Sequence, residues 1–363
     1  MKVYRNVIRP LLFAFPPEDA QRIAKRSLEI PALYGWTGDR FRVEDDRLRV
    51  RVGDLELPNP IGLAAGFDKD ARMLPALAHF GWGYLIPGSI MPKPTRDYPK
   101  PRLLRLVEEE GIVNCVSLPS VGVDAVLDRL AAYAERRRAD PRRYPALVPN
   151  MNGFTEPEEW VRSHALLEPL ADAVQMSSLC PNLAYEGPTM HEPSRFAELL
   201  RELGRQKHKP LIVKLRNYWN DEERANRLEL ARVAADSGAV DGLVMSGLIS
   251  VPAPELSQGK GGLSGPRILP NAIRNVRELY EATGGRVAIS ALGGISSGAD
   301  AFAAIAAGAT TVELYTSFVF QGPGVVRKIA RELLGLLEQS GIPDVNALRG
   351  TGAELPVAAR PAA

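Results

Sequence analysis

Two short apolar runs near the C-terminus stop abruptly at small residues, and they constrain the fold more than any other feature. They are Ile289-Ser-Ala-Leu-Gly-Gly-Ile295 and Val312-Glu-Leu-Tyr-Thr-Ser317. Between them, residues 298–307 carry a helical pattern closed by Gly308. Strand, helix and strand in that order form a βαβ unit whose small residues sit at the C-terminal ends of its strands. In an eight-fold barrel the loops after the seventh and eighth strands form the usual phosphate site. Backbone N–H groups reach a phosphate only where no Cβ intervenes. The pair therefore predicts a phosphate-bearing cofactor at this end of the chain.

The same rhythm extends back to residue 60. Apolar runs at 61–66, 84–88, 146–150, 173–178, 211–215, 242–246, 287–292 and 311–316 each precede a helical pattern. Eight such units predict a parallel (β/α)8 TIM barrel, and 363 residues with 45% hydrophobic content suffice for one. Gly81, Gly238 and Gly308 each close a helix shortly before the next strand, a weak internal repetition. Leu48-Arg-Val-Arg-Val52 and Leu55-Glu-Leu57 alternate about Gly53-Asp54 and read as a hairpin. The stretch 91–121, rich in Pro and Arg, reads as a long functional loop.

Ahead of the barrel, positions 3, 4, 7, 8, 11 and 12 are apolar with a helical period, and Pro16-Pro17-Glu18-Asp19 starts a second helix that runs to about Ile30. These helices are either a structural cap or an amphipathic pair facing a membrane or a lipid-like ligand. The expected division is a helical extension at 1–40, a barrel at 41–345 and a disordered tail at 346–363.

A net charge of +2 argues against a nucleic-acid binder that works by bulk charge. No apolar run approaches the roughly 18 residues that span a bilayer, and no secretory signal is visible. Cys115 and Cys180 match neither a zinc spacing nor a disulfide framework, so a reducing compartment is expected. The four histidines share no metal spacing, and no metal is expected.

In this fold the functional residues sit at strand ends. Strand one ends Leu63-Ala-Ala-Gly-Phe-Asp-Lys-Asp70, where small residues let a flat ring lie on the backbone and Lys69 puts a cation at the barrel mouth. Strand two ends at Ser89, strand three at Asn150-Met-Asn152 and strand four in Ser177-Ser-Leu-Cys-Pro-Asn182. Lys214 interrupts the apolar strand Leu211-Ile-Val-Lys-Leu215. A buried lysine is costly unless it meets an anion or a carbonyl of a flavin-like ring, or snorkels to the rim. Strand six ends in Ser246-Gly247, and a Gly261-Gly-Leu-Ser-Gly265 loop precedes the seventh unit.

Together these residues resemble the dihydroorotate dehydrogenase family, in its quinone-using class 2 form. Leu63 to Asp70, Lys100-Pro-Arg-Leu-Leu-Arg-Leu106, Gly261 to Gly265, Leu292-Gly-Gly-Ile295 and Tyr315-Thr-Ser-Phe-Val-Phe-Gln-Gly-Pro323 carry the likeness over roughly residues 3–340. The resemblance implies FMN as cofactor and a quinone as electron acceptor. Ala64, Ala65 and Gly66 would lie along the flavin ring, and Lys69 would touch flavin and substrate. Ser89, Asn150 and Lys214 would contact the ring and ribityl chain. Gly265, Gly293, Gly294, Tyr315 and Thr316 would hold the phosphate. The N-terminal helices would form a quinone tunnel at the membrane interface, which places the protein in the cytoplasm, peripheral at the inner face of the membrane.

The substrate side departs from the family. The segment usually read Asn-Arg-Met-Gly-Phe-Asn-Asn is Asn114-Cys-Val-Ser-Leu-Pro-Ser120, and only Asn114 keeps its place. Ser177 and Gly247 stand where asparagines read the pyrimidine, while Asn182 is kept. Cys180 occupies the position of the catalytic base, and a thiolate there can remove a proton beside a carbonyl; otherwise it is a buried, inert cysteine. The expectation is a dehydrogenase of a CH–CH bond beside a carbonyl, with a pocket reshaped for another small cyclic or amide-like substrate of specialised metabolism. The alternatives are a genuine dihydroorotate dehydrogenase and a non-catalytic flavin-binding protein.

Overall fold

The computed structural model describes residues 3–37, 39–152, 156–177, 191–218 and 220–356. After a hairpin of β1 (Val50–Val52) and β2 (Leu55–Leu57), the chain lays down β3 (Ile61–Leu63), β4 (Tyr84–Leu85), β5 (Leu103–Leu106), β6 (Gly111–Asn114), β7 (Ala146–Leu147), β8 (Asn150–Asn152) and β9 (Val174–Ser177). Then follow β10 (Leu211–Leu215), β11 (Gly242–Met245), β12 (Ile249–Pro252), β13 (Lys260–Ser264), β14 (Ala288–Leu292) and β15 (Thr311–Leu314). Nine of these pair in parallel, in the order β7-β4-β3-β15-β14-β11-β10-β9-β8.

The ring closes because β7 and β8 are two halves of one strand. Val148 N–H donates to Leu85 on one side, while the Pro149 carbonyl accepts from Gln175 N–H on the other. The architecture is therefore the expected eight-fold barrel, with a strand at each of the eight expected places. Its strands are mostly apolar and buried on both faces, as helices on the outside require.

The expected hairpin and both N-terminal helices are also present. Residues Tyr4–Ile8 form a π-helical turn that leads into α1 (Arg9–Phe13), and α2 spans Pro17–Leu28. They dock against the C-terminal end of the barrel. Tyr4 Oη donates to the Val319 carbonyl at 2.6 Å, Arg9 Nη1 donates to the Phe320 carbonyl at 3.2 Å, and Phe13 meets Phe320 edge-on. Arg102 N–H donates to Glu18 Oε1 at 2.7 Å. Of the nine exposed large apolar side chains among the described residues, eight lie in this segment: Val3, Val7, Ile8, Leu11, Phe15, Ile23, Ile30 and Leu33.

Two expectations need correction. The stretch 91–121 is not simply a loop: β5 and β6 pair antiparallel and join β12 and β13 in a four-stranded sheet beside the barrel mouth. A small separate core of Val113, Cys115, Ala253, Leu256, Leu263 and Ile268 holds it together, so Cys115 acts there as packing. The segment expected as tail from 346 on is folded at its start. A short helix at Val345–Leu348 buries both of its terminal residues, and Arg349 Nη2 donates to the Val287 carbonyl at 2.8 Å.

Inside the barrel, Gly62 lies against the ring of Tyr84. A Cβ built on Gly62 would come within 2.2 Å of that ring, and both residues are buried. Gly62→Ala is expected to lower stability by about 1–3 kcal/mol, the usual cost of overpacking, as read from urea unfolding midpoints. Gly35→Ala, which meets no atom within 4 Å, is the control and is expected to stay within about 0.5 kcal/mol. Equal midpoints for the two variants would contradict this packing.

Candidate active site

The C-terminal ends of the strands open into one cavity of about 650 Å³. That volume is typical of a site for a small molecule or cofactor. It runs without interruption from the loops after β13, β14 and β15, across the ends of β3 and β10, to the gap between α1 and α2.

At the first end, three glycines lie so close to backbone that no side chain fits, and a fourth, Gly293, is tightly crowded. A Cβ on Gly247 would meet the Leu292 carbonyl at 2.2 Å, one on Gly265 the Glu110 carbonyl at 2.8 Å, and one on Gly294 the Leu269 nitrogen at 2.6 Å. Gly293 would meet Ile268 and the Gly247 backbone. Gly294 also has φ +75°, a region that L side chains rarely adopt. Among the described residues, the N–H groups of Gly294, Ile295, Thr316 and Ser317 make no hydrogen bond within the protein. The helix at Gly298–Ala306 is not the anion site. Its first turn is closed by a Ser297–Asp300 capping box, and Glu332 Oε2 accepts from Gly298 N–H. Tyr315 packs edge-on against Phe67 at 5.4 Å, burial pushes its hydroxyl up to about 12, and Thr316 Oγ1 donates to Ser264 Oγ at 2.9 Å.

At the centre, Ala64, Ala65 and Gly66 present a floor of small residues, with Ala64 N–H bonded to the Leu314 carbonyl. Lys69 Nζ donates to the Ser117 carbonyl at 3.1 Å. Ser89 Oγ accepts from Asn152 Nδ2 at 3.2 Å. Lys214 lines the cavity from β10. Asn150 is placed deeper than expected: it is fully buried, its Nδ2 donates to Gln175 Oε1 and Ser177 Oγ at 2.7 Å each, and it does not line the cavity. Two residues on and on the same strand face, Asn152 does.

On the substrate side, Asn114 Nδ2 donates to the Gly262 carbonyl at 3.3 Å. Val116, Leu118 and Pro119 make an apolar wall. That wall is pinned from behind, where Ser117 N–H donates to Asp97 Oδ1 at 3.0 Å and Asp97 pairs with Arg102. Ser177 lines the cavity with its oxygen engaged by Asn150, and Gly247 offers no side chain. Cys180 and Asn182 lie outside the described residues. His191 faces Arg227, at 3.4 Å, away from the cavity.

The structure adds residues that strand-end reading passed over. Glu313 lines the cavity and is 2% exposed, and among the described residues Asn152 Oδ1 has no hydrogen-bond partner. Buried acceptors of this kind call for a ligand that donates N–H or O–H groups. FMN has them on its ring and ribityl chain, and its phosphate matches the uncovered N–H groups at the glycine end. The residues present therefore fit FMN.

The model of the dihydroorotate dehydrogenase family matches residues 47–337. A dihydroorotate dehydrogenase (quinone) of Acidithiobacillus ferrooxidans is 32% identical over 96% of this chain and 99% of its own length. The mitochondrial dihydroorotate dehydrogenase (quinone) of Mus musculus is 33% identical over 91% of this chain and 85% of its own. A dihydroorotate dehydrogenase of Eimeria tenella, solved in complex with ferulenol, superposes with a TM-score of 0.81 at 30% identity, over 93% of this chain and 95% of that one.

Asp68 fixes the turn that carries Lys69. Its carboxylate accepts from Arg72 and Met73 N–H at 2.9 and 2.8 Å. Burial pushes the carboxyl up to about 6, against the pull of those two bonds and of Lys25. An acid raised in the folded state loses its proton first in the unfolded chain, so its contribution favours folding at low pH and fades as pH rises. From about pH 4 to about pH 6, the wild-type Tm is expected to fall relative to that of Asp68→Asn, which cannot titrate there. A constant gap in Tm across that window would show that Asp68 ionises normally.

Proposed function

The chain belongs to the dihydroorotate dehydrogenase family, and on that premise we propose that it oxidises dihydroorotate to orotate and passes the electrons to a quinone. Family members use FMN, oxidise a CH–CH bond and take quinone as the electron acceptor. The observation that carries the reading is the continuous cavity, which joins a glycine-lined anion cradle to an apolar gap between two N-terminal helices.

When bound, FMN supplies the hydride acceptor; the protein supplies placement. Gly294 and Thr316, with Ile295 and Ser317 beside them, would hold the phosphate through uncovered N–H groups, and Gly265, Gly293 and Tyr315 would shape the cradle around it. Ala64, Ala65 and Gly66 support the ring. Lys69, Ser89 and Lys214 would hold its polar edge, with Asn152 in the place expected of Asn150. Asn114, Ser177, Asn182 and the open floor at Gly247 face the substrate. Cys180 takes the proton beside the carbonyl. A thiol ionises near pH 8.5, so its share of the base form grows as pH rises toward that value.

The quinone enters between α1 and α2. Among the described residues no helix is long and apolar enough to cross a membrane. The exposed apolar residues of 3–33 rest instead on a bilayer surface, at the inner face of the membrane.

A second reading has its own support. Ser177 accepts from Asn150 and is shorter than an asparagine, and a side chain at Gly247 would strike the Leu292 carbonyl. With the wall of Val116, Leu118 and Pro119, that leaves fewer amide partners for a pyrimidine and favours a less polar cyclic amide.

Anaerobic stopped-flow flavin reduction separates the two. Dihydroorotate is expected to bleach the flavin, and a long-chain quinone to restore the colour. Bleaching by a saturated lactam or cyclic amide, but not by dihydroorotate, would establish the second reading. In the same assay Cys180→Ala is expected to slow reduction by about 10²–10⁴-fold while FMN stays bound. Rates near wild type would leave Cys180 as packing.

A further inference from the structure

Glu313 has no part in the roles above. It sits on the eighth strand, buried, on the wall of the cavity. Across the barrel, Gln175 Nε2 donates to its Oε1 at 3.3 Å. Gln175 is in turn held by Asn150, which also holds Ser177. A hydrogen-bond chain thus runs from the substrate wall through the barrel to this carboxylate.

The groups around Glu313 come from several strands. Lys214 on β10 lines the same cavity. Tyr84 on β4 is kept neutral by burial, and its hydroxyl lies 3.2 Å from Ser290 Oγ on β14. Gly62 is its register neighbour on β3 and adds no polar group. On balance the Glu313 carboxyl lies above the usual carboxylate range, because burial outweighs Lys214, Ser290 and Gln175, which all favour the charged form. A lone buried charge is prohibitively costly, but one facing an ammonium and fixed by donors is sustained.

Resting on the FMN reading, we propose that Glu313 is a positioning residue: its carboxylate, held by Gln175 and set against Lys214, offsets the lysine's positive charge and so lowers the two-electron potential of the bound FMN. The positive charge of Lys214 favours electron-rich flavin, and the carboxylate tempers it. Substrate oxidation and quinone reduction both depend on that potential, so Glu313 would divide the driving force between the two half-reactions.

The test is spectroelectrochemical titration of the FMN-loaded protein. Glu313→Gln keeps size and the contact to Gln175 while it removes the charge. It is expected to shift the equilibrium toward reduced FMN by tenfold or more, about 30 mV for a two-electron couple. The wild-type potential is expected to approach that of the variant as pH falls and Glu313 takes up a proton. Gln175→Met, which removes the donor favouring the carboxylate, should move the potential in the same direction by less, and it carries the test if Glu313→Gln does not hold FMN. Potentials equal to wild type at every pH would overturn the proposal and leave Glu313 as neutral packing. A wild type that takes up no FMN would instead remove the reading on which it rests.

Discussion

The barrel mouth depends on backbone that stays uncovered. Around the ends of β11, β13 and β14, the chain folds so tightly that Gly247, Gly265 and Gly294 have no room for a Cβ, and Gly293 has little. The close approach leaves N–H groups of two adjacent loops without protein acceptors. Uncovered donors in a concave site are costly without a ligand and well suited to a phosphate. The capping box at Ser297–Asp300 sharpens this arrangement by closing the neighbouring helix to anions.

The rest of the site is built outward from that cradle. Asp68 holds the turn that aims Lys69, and Asp97 holds the loop that Lys69 meets. The antiparallel sheet walls one side of the cavity, and the N-terminal helices form its outer end. Their docking through Tyr4, Arg9 and Phe13 is polar and aromatic at a few points, and it leaves a gap instead of a packed interface.

Much of this was legible in the sequence because it follows from local pattern. Apolar runs of strand length located all eight barrel strands, and the glycines that crowd the inner end of the cavity stand out at strand ends. The antiparallel sheet was not legible. Its members lie at 103–114 and 249–264, and their pairing depends on long-range register that no local periodicity records. Asn150 and Asn152 share a strand face, so sequence alone could not say which one reaches the cavity; the depth of the strand decides it. Glu313 and Gln175 did carry a signal, a polar residue inside an apolar strand. That signal singled out Lys214 and would have singled out these two. Gly247 reads in sequence as a lost side chain; in the structure it is also a place where no side chain fits.

The most direct measurement is equilibrium binding of FMN and of riboflavin to the flavin-free protein, since the two ligands differ only in the phosphate. Several charge-assisted bonds to backbone N–H groups, each worth about 1.5–3 kcal/mol, should make FMN bind at least about 10²-fold more tightly. Equal affinities would mean that the glycine loops hold no phosphate, and the assignment of the cavity would fail with them.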